Sequence, residues 1–424
     1  MTSSTRSKQA ALPNEAPDAV PAIEVTGLTK VYGAPEVSAW KRLLGARPGT
    51  GEGTRPAADD VNFSVAQGEF FVIMGLSGSG KSTVLRMLNR LVEPTSGKLV
   101  IGGRDVAALS ADELRDLRNR KINMVFQHFA LFPHRTVREN AAYALHVRGV
   151  SAKEQQERVD WALETVGLGE WGEALPGELS GGMRQRVGLA RALASDADIL
   201  LMDEPFSALD PLIRRDMQDL LMTLQRELKR TVVFVTHDLN EAMRMGDRVM
   251  IMRDGQVVQL GTAQEILNTP ADGYVSDFVS DVDRTRVLTA GDVMREPLFT
   301  VTEQDAPKDV LRRLSNVEGV GTYVLDSASR RIIGVARADR LAKALGQGKT
   351  ALADCITKDY DSFAEDVPLA DLFHVAGRNS VPLAVTDAEG HLLGVIPQAT
   401  LLAALATPES ATGNDESRKD DAHA

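Results

Sequence analysis

The chain has 424 residues, 43% of them hydrophobic, with seven histidines, one cysteine and a net charge of −11. That length and apolar content support two to three domains with real cores. The acidic balance argues against nucleic acid as a partner, which needs a basic footprint. Cys355 alone excludes a disulfide framework or a cysteine-based metal site, and no apolar run approaches the roughly 18 residues of a membrane span.

Residues 1–21 are rich in Ala, Pro and Ser with no apolar centre, so they read as a disordered lead and not a signal peptide. AIEVTGLTKVYG, from Ala22, is β-like. Residues 34–59 contain WKRLLGARPGTGEGTRP and read as an inserted loop with one short helix at Trp40–Leu44. GEFFVIMG, Gly68 to Gly75, is a short apolar run ending in glycine, as expected of a buried parallel strand. KSTVLRMLNRL follows as a helix, and KLVIGGRDV as a hairpin with a glycine turn. INMVFQ, DILLMDE and TVVFVTHD are further buried strands with polar ends. Ligands bind at the carboxyl ends of strands in open α/β sheets. Ser151–Leu193 is rich in helix formers, giving a helical subdomain over about 128–193. RVMIMRDGQVVQLG is a hairpin turning at Asp254-Gly255.

The texture changes near Pro270. After Arg286 two similar units follow, aligned when Gly334 of GVARADRL is set on Gly394 of GVIPQATLL. Each runs as a polar lead, a helix, a strand, a turn, a strand and a helix. The expected boundaries are 22–283 for the first domain and 284–406 for the repeat. Residues 407–424 read as an acidic disordered tail.

GLSGSGKST, made of Gly75, Leu76, Ser77, Gly78, Ser79, Gly80, Lys81, Ser82 and Thr83, fits a phosphate-binding loop between strand and helix. Its glycines let backbone N–H groups surround phosphate oxygens, and the helix start adds a positive dipole end. Lys81 reaches the β/γ-phosphates and Ser82 offers a hydroxyl to Mg²⁺. DILLMDEP ends a strand in Asp203, suited to Mg²⁺, and Glu204, suited to polarising water. The same two acids would also serve as a cap for the next helix. LSGGMRQRV brings Leu179, Ser180, Gly181, Gly182 and Met183 to a second anion-binding helix start. One nucleotide does not easily fill two such sites in one chain, so the economical geometry is a head-to-tail homodimer in which each copy's signature covers the partner's ATP.

These motifs together resemble the ATPase of ATP-binding cassette (ABC) transporters, over roughly Ile23 to Asp283. The resemblance implies an α/β P-loop ABC-type nucleotide-binding domain with a helical subdomain, using ATP and Mg²⁺. It implies that Tyr32 stacks on adenine and that Gln127, in VFQHFALFP, contacts Mg²⁺ and the attacking water. It also implies that Ser207 and Asp210, in SALD, lie in a loop at the dimer interface, and that His237 is a switch histidine near the γ-phosphate. Glu204, His237, Gln127 and Lys81 are then the catalytic set, and Ser82, Gln127 and Asp203 the metal set. Apart from the family, Tyr32 reads as a half-buried strand residue and His237 as a strand-end histidine.

A narrower resemblance, carried by LNRLVEPTSG, LSGGMRQRVGLARAL, MDEPFSALDPLIRRDMQ and the early insertion, is to the ATPase subunits of glycine betaine/proline importers. DVMREPLFTV, GVARADRL and GVIPQATLL resemble the pieces of a tandem cystathionine-β-synthase (CBS) pair, an α+β regulatory module typical of that group. The implied partners are an integral membrane permease, touched through the Gln127 to Tyr143 region, and a solute-binding protein or domain. The implied location is the cytoplasmic face of the membrane. The alternatives are an importer ATPase for another small solute, or a soluble ABC ATPase working on DNA, the ribosome or iron–sulfur assembly.

Two regulatory readings of the repeat stay open. By the CBS resemblance, Asp339 would hold an adenosine ribose in the first unit, against the plain role of capping its helix. The second unit sets Thr400 at that place. Alternatively, Arg312, Arg313, Arg330 and Arg331, with Arg337, Arg340 and Lys343, form a patch for an anionic lipid surface, worth about 1 kcal/mol per basic residue. The Debye length shrinks from about 8 Å at physiological salt to about 3 Å at 1 M, so such a latch would release as internal salt rises. A mixed solvated face balanced by acids is the plain alternative.

Overall fold

The computed structural model describes residues 20–33, 55–126, 130–317, 320–378 and 380–405. Most of the lead and of the insertion with its short helix, Gln127, and the tail lie outside the described residues. The chain divides into two compact units, Met1–Ser276 and Asp277–Ala424.

Two sheets build the first unit. Strands β1 (Ile23–Lys30), β2 (Ala58–Val65), β4 (Ser96–Ile101) and β5 (Arg104–Asp105) form an antiparallel sheet in the order β2-β1-β4-β5. β2 corrects one expectation, because the insertion was drawn through Asp59. ADDVNFSV alternates inward and outward, and its inward Ala58, Val61, Phe63 and Val65 are buried, so the strand claims Ala58 and Asp59. The second sheet has the order β10-β9-β3-β8-β7-β6. Its members are β3 (Phe70–Met74), β6 (Ile122–Val125), β7 (Ile199–Asp203), β8 (Thr231–Thr236), β9 (Arg248–Arg253) and β10 (Gln256–Gly261). All of its pairings are parallel except β9–β10, whose turn holds Asp254 and Gly255 at φ 55° and 85°. FFVIM, ILLMD and TVVFVT are buried at every residue, as strands covered on both faces must be. Phe63 of the first sheet stacks on Phe71 of the second at 5.1 Å, inside the core they share.

The helices that matter for the site are α1 (Lys81–Leu88), α2 (Val137–Val147), α3 (Ala152–Thr165), α4 (Gly181–Ala194), α5 (Pro211–Leu228) and α6 (Leu239–Met245). α2, α3 and α4 pack on one another as the helical subdomain. Each begins at a Thr or Ser whose hydroxyl accepts from a first-turn N–H, so the sequence sets their starts locally.

The second unit holds two three-stranded sheets of the same plan. In the first, β11 (Val301–Thr302) runs parallel to β12 (Gly321–Leu325), which pairs antiparallel with β13 (Ile332–Arg337). β14 (Ser362–Phe363), β15 (Leu383–Thr386) and β16 (Leu392–Ile396) repeat it. Helices α7 (Pro307–Asn316), α8 (Ala338–Gly346), α9 (Leu369–Ala376) and α10 (Gln398–Leu405) complete the repeats.

The polar leads do not stay with their own repeats. Leu288 and Ala290, which precede the first repeat, pack among Leu369, Leu372, Leu383 and Ile396 of the second. Leu352 and Cys355, which precede the second, pack among Val301, Val310, Val324 and Leu341 of the first. The backbone exchange is reciprocal: Arg295 bridges Val395, and Thr357 bridges Val335. Neither repeat can close its core alone, because each borrows its neighbour's lead.

The helix starts keep the 60-residue offset that sets Gly334 on Gly394. Asp339 is the second residue of α8 and Ala399 the second of α10, so the counterpart of Asp339 is Ala399 and not Thr400, by the same offset. Asp339 does not cap α8 either: Arg337 is the N-cap residue, and no side chain caps that end. The Arg337 Nε donates to the Asp339 carboxylate at 3.2 Å and holds its pKa below the ordinary aspartate value.

The two GV steps differ in what faces them. A Cβ on Gly334 would meet the Thr357 backbone oxygen at 2.8 Å, whereas one on Gly394 would first meet the flexible Met294 sulfur at 2.9 Å. Gly334→Ala is expected to destabilise the second unit by about 1–3 kcal/mol, and Gly394→Ala by less. Hydrogen exchange of β13 and β16 amides in the full chain checks both.

Candidate functional site

The parallel strands β3, β8 and β7 are neighbours, and their carboxyl ends bring the predicted residues together. Gly75 leaves β3, Asp203 and Glu204 end β7, and His237 leaves β8. After β3 the chain turns through Gly75, Gly78 and Gly80, at φ 146°, 81° and 99°. These values favour glycine. A Cβ on Gly75 would overlap the Met252 carbonyl oxygen, and one on Gly80 the Ala57 carbonyl oxygen, so the β9–β10 hairpin and β2 fix the loop's shape.

Lys81, 5% exposed, donates through Nζ to the carbonyl oxygens of Gly75 at 2.8 Å and Leu76 at 3.0 Å. Burial lowers its pKa, while the charges of Glu204 and Asp203 oppose that shift. The Ser82 hydroxyl donates to Asp203 Oδ1 at 2.8 Å, and Arg86 Nη2 donates to Oδ2 at 3.0 Å. Ser79 is buried, and its Oγ has no hydrogen-bond partner among the described residues. A glycine-lined loop with an unsatisfied hydroxyl inside it fits phosphate oxygens. Ser82 and Asp203 offer the hard oxygen donors that Mg²⁺ takes.

Glu204 adopts φ 46° and donates its backbone N–H to the Val235 carbonyl at 3.0 Å. Its Oε2 lies 2.9 Å from His237 Nδ1. A carboxylate oxygen accepts, so in this hydrogen bond Nδ1 is the donor. Tyr32, 51% exposed, lies with its hydroxyl 3.5 Å from the Thr83 hydroxyl and with the Lys30 ammonium 5.2 Å from its ring centre. The ring is therefore tied to the phosphate loop with a face available for stacking, not half-buried in the sheet.

The remaining predicted residues sit apart from this cluster. Ser180 caps α4 by accepting from the Met183 N–H at 3.3 Å, and Arg184 holds the Leu179 carbonyl at 2.7 Å. Gly182 lies against Ile213 of α5. Among the described residues no hydrogen bond joins Leu179–Met183 to Gly75–Thr83. Asp210 caps α5, accepting from the Ile213 N–H at 3.1 Å, and the Ser207 hydroxyl donates to the Glu204 carbonyl at 3.0 Å. The Ser207–Asp210 loop thus hangs directly on the strand end that carries Glu204.

Sequence reasoning missed three supports. Arg86 stands one helical turn after Ser82, a spacing that puts both on one face of α1 and was legible. Buried Glu241 accepts from the Thr236 hydroxyl at 2.7 Å and Gln218 Nε2 at 3.0 Å, bracing the turn that carries His237. Burial raises its pKa above the usual carboxylate value. Asn140, fully buried, accepts from the Phe132 N–H at 2.8 Å and donates to the Phe132, Arg135 and Thr136 carbonyls. It shapes the loop after Gln127, where Arg135 lies over the Phe132 and Tyr143 rings at 5.4 and 5.3 Å. Nothing in the local sequence marks Glu241 or Asn140.

In the second unit, the cleft between the repeats on the Arg337 side is lined by Tyr323, Arg337, Thr357, Tyr360, Val381 and Leu383, and measures about 30 Å³. Tyr323 donates its hydroxyl to the Pro382 carbonyl at 2.7 Å and Tyr360 to the Ile332 carbonyl at 3.2 Å. The two rings meet edge to face at 6.1 Å. That space suits a water molecule; Asp339 is not among the residues that line it. Of the predicted basic patch, Arg312 pairs with Asp309 at 3.0 Å and Arg313 lies over the Phe299 ring at 4.2 Å. Arg330, Arg331, Arg340 and Lys343 are exposed, with no carboxylate partner among the described residues.

Comparisons with known proteins agree with this geometry. The family model described as ABC transporter matches residues 58–207, and the one described as CBS domain matches 290–347. The chain is 44% identical to the glycine betaine/carnitine transport ATP-binding protein of Listeria monocytogenes, over 91% of this chain and 98% of that one. It is 43% identical to the glycine betaine transport ATP-binding protein of Bacillus subtilis, over 93% of each. It is 44% identical to the glycine betaine/proline betaine transport system ATP-binding protein of Salmonella typhimurium, over 90% of this chain and 97% of that one. Among solved structures, cbiO1 of Clostridium perfringens, part of an ABC transporter complex, aligns with a TM-score of 0.51 at 26% identity. That alignment covers 61% of this chain and 94% of that one.

Glu204→Gln is expected to keep nucleotide binding and lose about 10²–10⁴-fold in hydrolysis, the range of a positioned base. Lys81→Ala is expected to weaken binding and hydrolysis together. Equilibrium nucleotide binding beside phosphate release separates the two, and near-normal hydrolysis by Glu204→Gln would remove Glu204 from the role.

Proposed function

Because the chain belongs to the family of ATP-binding subunits of glycine betaine-type ABC transporters, with a C-terminal CBS module, we propose that it powers uptake of glycine betaine or proline-type osmoprotectants through a separate permease. The observation that carries the ATPase part is the convergence of Lys81, Ser82, Asp203, Glu204 and His237 at one sheet edge, while Ser180 opens a helix elsewhere. Two copies close head to tail, each Leu179–Met183 segment covering the ATP held by its partner's Gly75–Thr83 loop.

Within that closed site, the glycine loop and Lys81 bind and orient the phosphates, and Tyr32 stacks on the base. Ser82 and Asp203, with Gln127, hold Mg²⁺, which neutralises charge on the β- and γ-phosphates when bound. Glu204 orients and polarises the attacking water, and His237 fixes the Glu204 carboxylate. Ser207 and Asp210 report the partner's approach to Glu204 through the loop they share with it. Closure drives the permease through the loop that Asn140 shapes.

No described helix is long and apolar enough to cross a membrane. The chain works as a homodimer on the cytoplasmic face of the membrane, with the permease and a solute-binding protein or domain. The second unit acts as an ionic-strength sensor: Ala399 stands at the place of Asp339 in the other repeat, and exposed Arg330, Arg331, Arg340 and Lys343, with no carboxylate partner among the described residues, suit an anionic lipid surface.

Co-expression with a glycine betaine-type permease, followed by uptake in vesicles with betaine, proline, carnitine and an unrelated amino acid as competitors, tests the transport reading. Competition by the unrelated amino acid alone favours an importer for another solute, and failure to co-purify with any polytopic protein favours a non-transport ATPase. Neutralising Arg312, Arg313, Arg330 and Arg331 together is expected to lower the salt concentration at which transport switches on. An unchanged threshold would rule the lipid latch out.

A further inference from the structure

Asp203 is only 4% exposed at the tip of β7, and each of its oxygens has a separate partner. The Ser82 hydroxyl takes Oδ1 at 2.8 Å, and the Arg86 guanidinium takes Oδ2 at 3.0 Å. A buried carboxylate needs both, because leaving it unpaired costs several kcal/mol in general. Lys81 lies close enough for its charge to act on Asp203, but its ammonium donates to the Gly75 and Leu76 carbonyls, and among the described residues no hydrogen bond joins it to that carboxylate. Ser82 and Arg86 project from one face of α1, so they grip the carboxylate as a pair.

Arg86 differs from Ser82 in two ways. It carries a full charge that no accessible pH removes, and its side chain is 49% exposed where that of Asp203 is 5%. It can therefore swing into water without being buried unpaired. Asp203 cannot move, because its backbone is pinned in the sheet opposite Val235.

We propose that Arg86 is a displaceable counter-ion for Asp203: it holds the carboxylate aimed, and gives way when Mg²⁺ binds there with nucleotide. The proposal rests on the reading above, that Ser82 and Asp203 hold the metal. Two cations on one buried carboxylate repel, so Arg86 competes with Mg²⁺. It sets how much free Mg²⁺ the site requires while protecting the fold when Mg²⁺ is scarce. Arg86 is a positioning residue, not a catalytic one.

The test is equilibrium binding of a fluorescent ATP analogue to the full chain at rising Mg²⁺, for the natural protein and for Arg86→Gln, Arg86→Lys and Asp203→Asn. Thermal unfolding of each is measured in EDTA and in Mg²⁺ with ATP. Arg86→Gln is expected to reach half-saturation at about two- to fivefold lower Mg²⁺, the range a partly exposed ion pair is worth. It should also unfold earlier in EDTA and recover in Mg²⁺ with ATP, with Arg86→Lys lying between. An Arg86→Gln protein whose Mg²⁺ midpoint is unchanged or higher overturns the competition. If Asp203→Asn keeps the natural Mg²⁺ dependence, it is the metal reading of Asp203 that falls.

Discussion

Val233 of β8 pairs with Phe71 of β3 on one side and with Leu201 of β7 on the other. That double register fixes where three strands end: Met74 opposite Thr236, and Asp203 opposite Val235. The next residues along each strand are the Gly75–Thr83 loop, Glu204 and His237, to which the proposed function assigns the phosphates, the attacking water and the γ-phosphate switch. A slip of one residue in either pairing would turn each side chain to the other face of the sheet and separate Lys81 from Asp203. Every polar contact described at the site follows from that register, and the register is held by residues with no chemistry of their own.

The price of collecting charge at a buried edge appears in how each group is satisfied. Lys81 is desolvated and answered by two carbonyls, Asp203 by a hydroxyl and a guanidinium, and Glu204 by His237. Buried charges persist only when paired in this way. The pairs also carry information. Ser207 bonds the Glu204 carbonyl, and Gln218 and Glu241 brace the turn before His237, so helix α5 touches both sides of the reacting centre. A partner that presses on the Ser207–Asp210 loop presses on the hydrolytic pair.

The C-terminal unit uses a different logic. Its repeats exchange their leading segments, so the module is one cooperative body and not two beads. Tyr323 and Tyr360 line the cleft between the repeats and donate their hydroxyls to backbone carbonyls across the repeat boundary. What is left exposed on the first repeat is charge. A sheet-and-helix module of this kind does not dictate its ligand; here the side chains in the cleft and on the surface decide the reading.

Most of the first unit was legible because its signals are local. Apolar runs such as FFVIM and ILLMD announce buried strands, and GLSGSGKST, MDEP and LSGGM each carry their chemistry within a few residues. The hairpin at Asp254-Gly255 and the helix starts at Ser151 and Ser180 were equally plain. What escaped were relations between distant residues: Arg86 with Asp203, Glu241 with Thr236, Asn140 with the Phe132 loop, and the exchange of leads between repeats. The strand at Ala58 was hidden because its start adjoins a Gly- and Pro-rich stretch, whereas Ala399 as the counterpart of Asp339 follows from setting Gly334 on Gly394 and was legible in the sequence. The sequence by itself determined which chemistry is present, since a phosphate loop or a carboxylate pair is defined by neighbours along the chain. Only the tertiary structure decided how that chemistry is held and whether the regulatory cleft is open, because both depend on volume and partners supplied from far away in the chain.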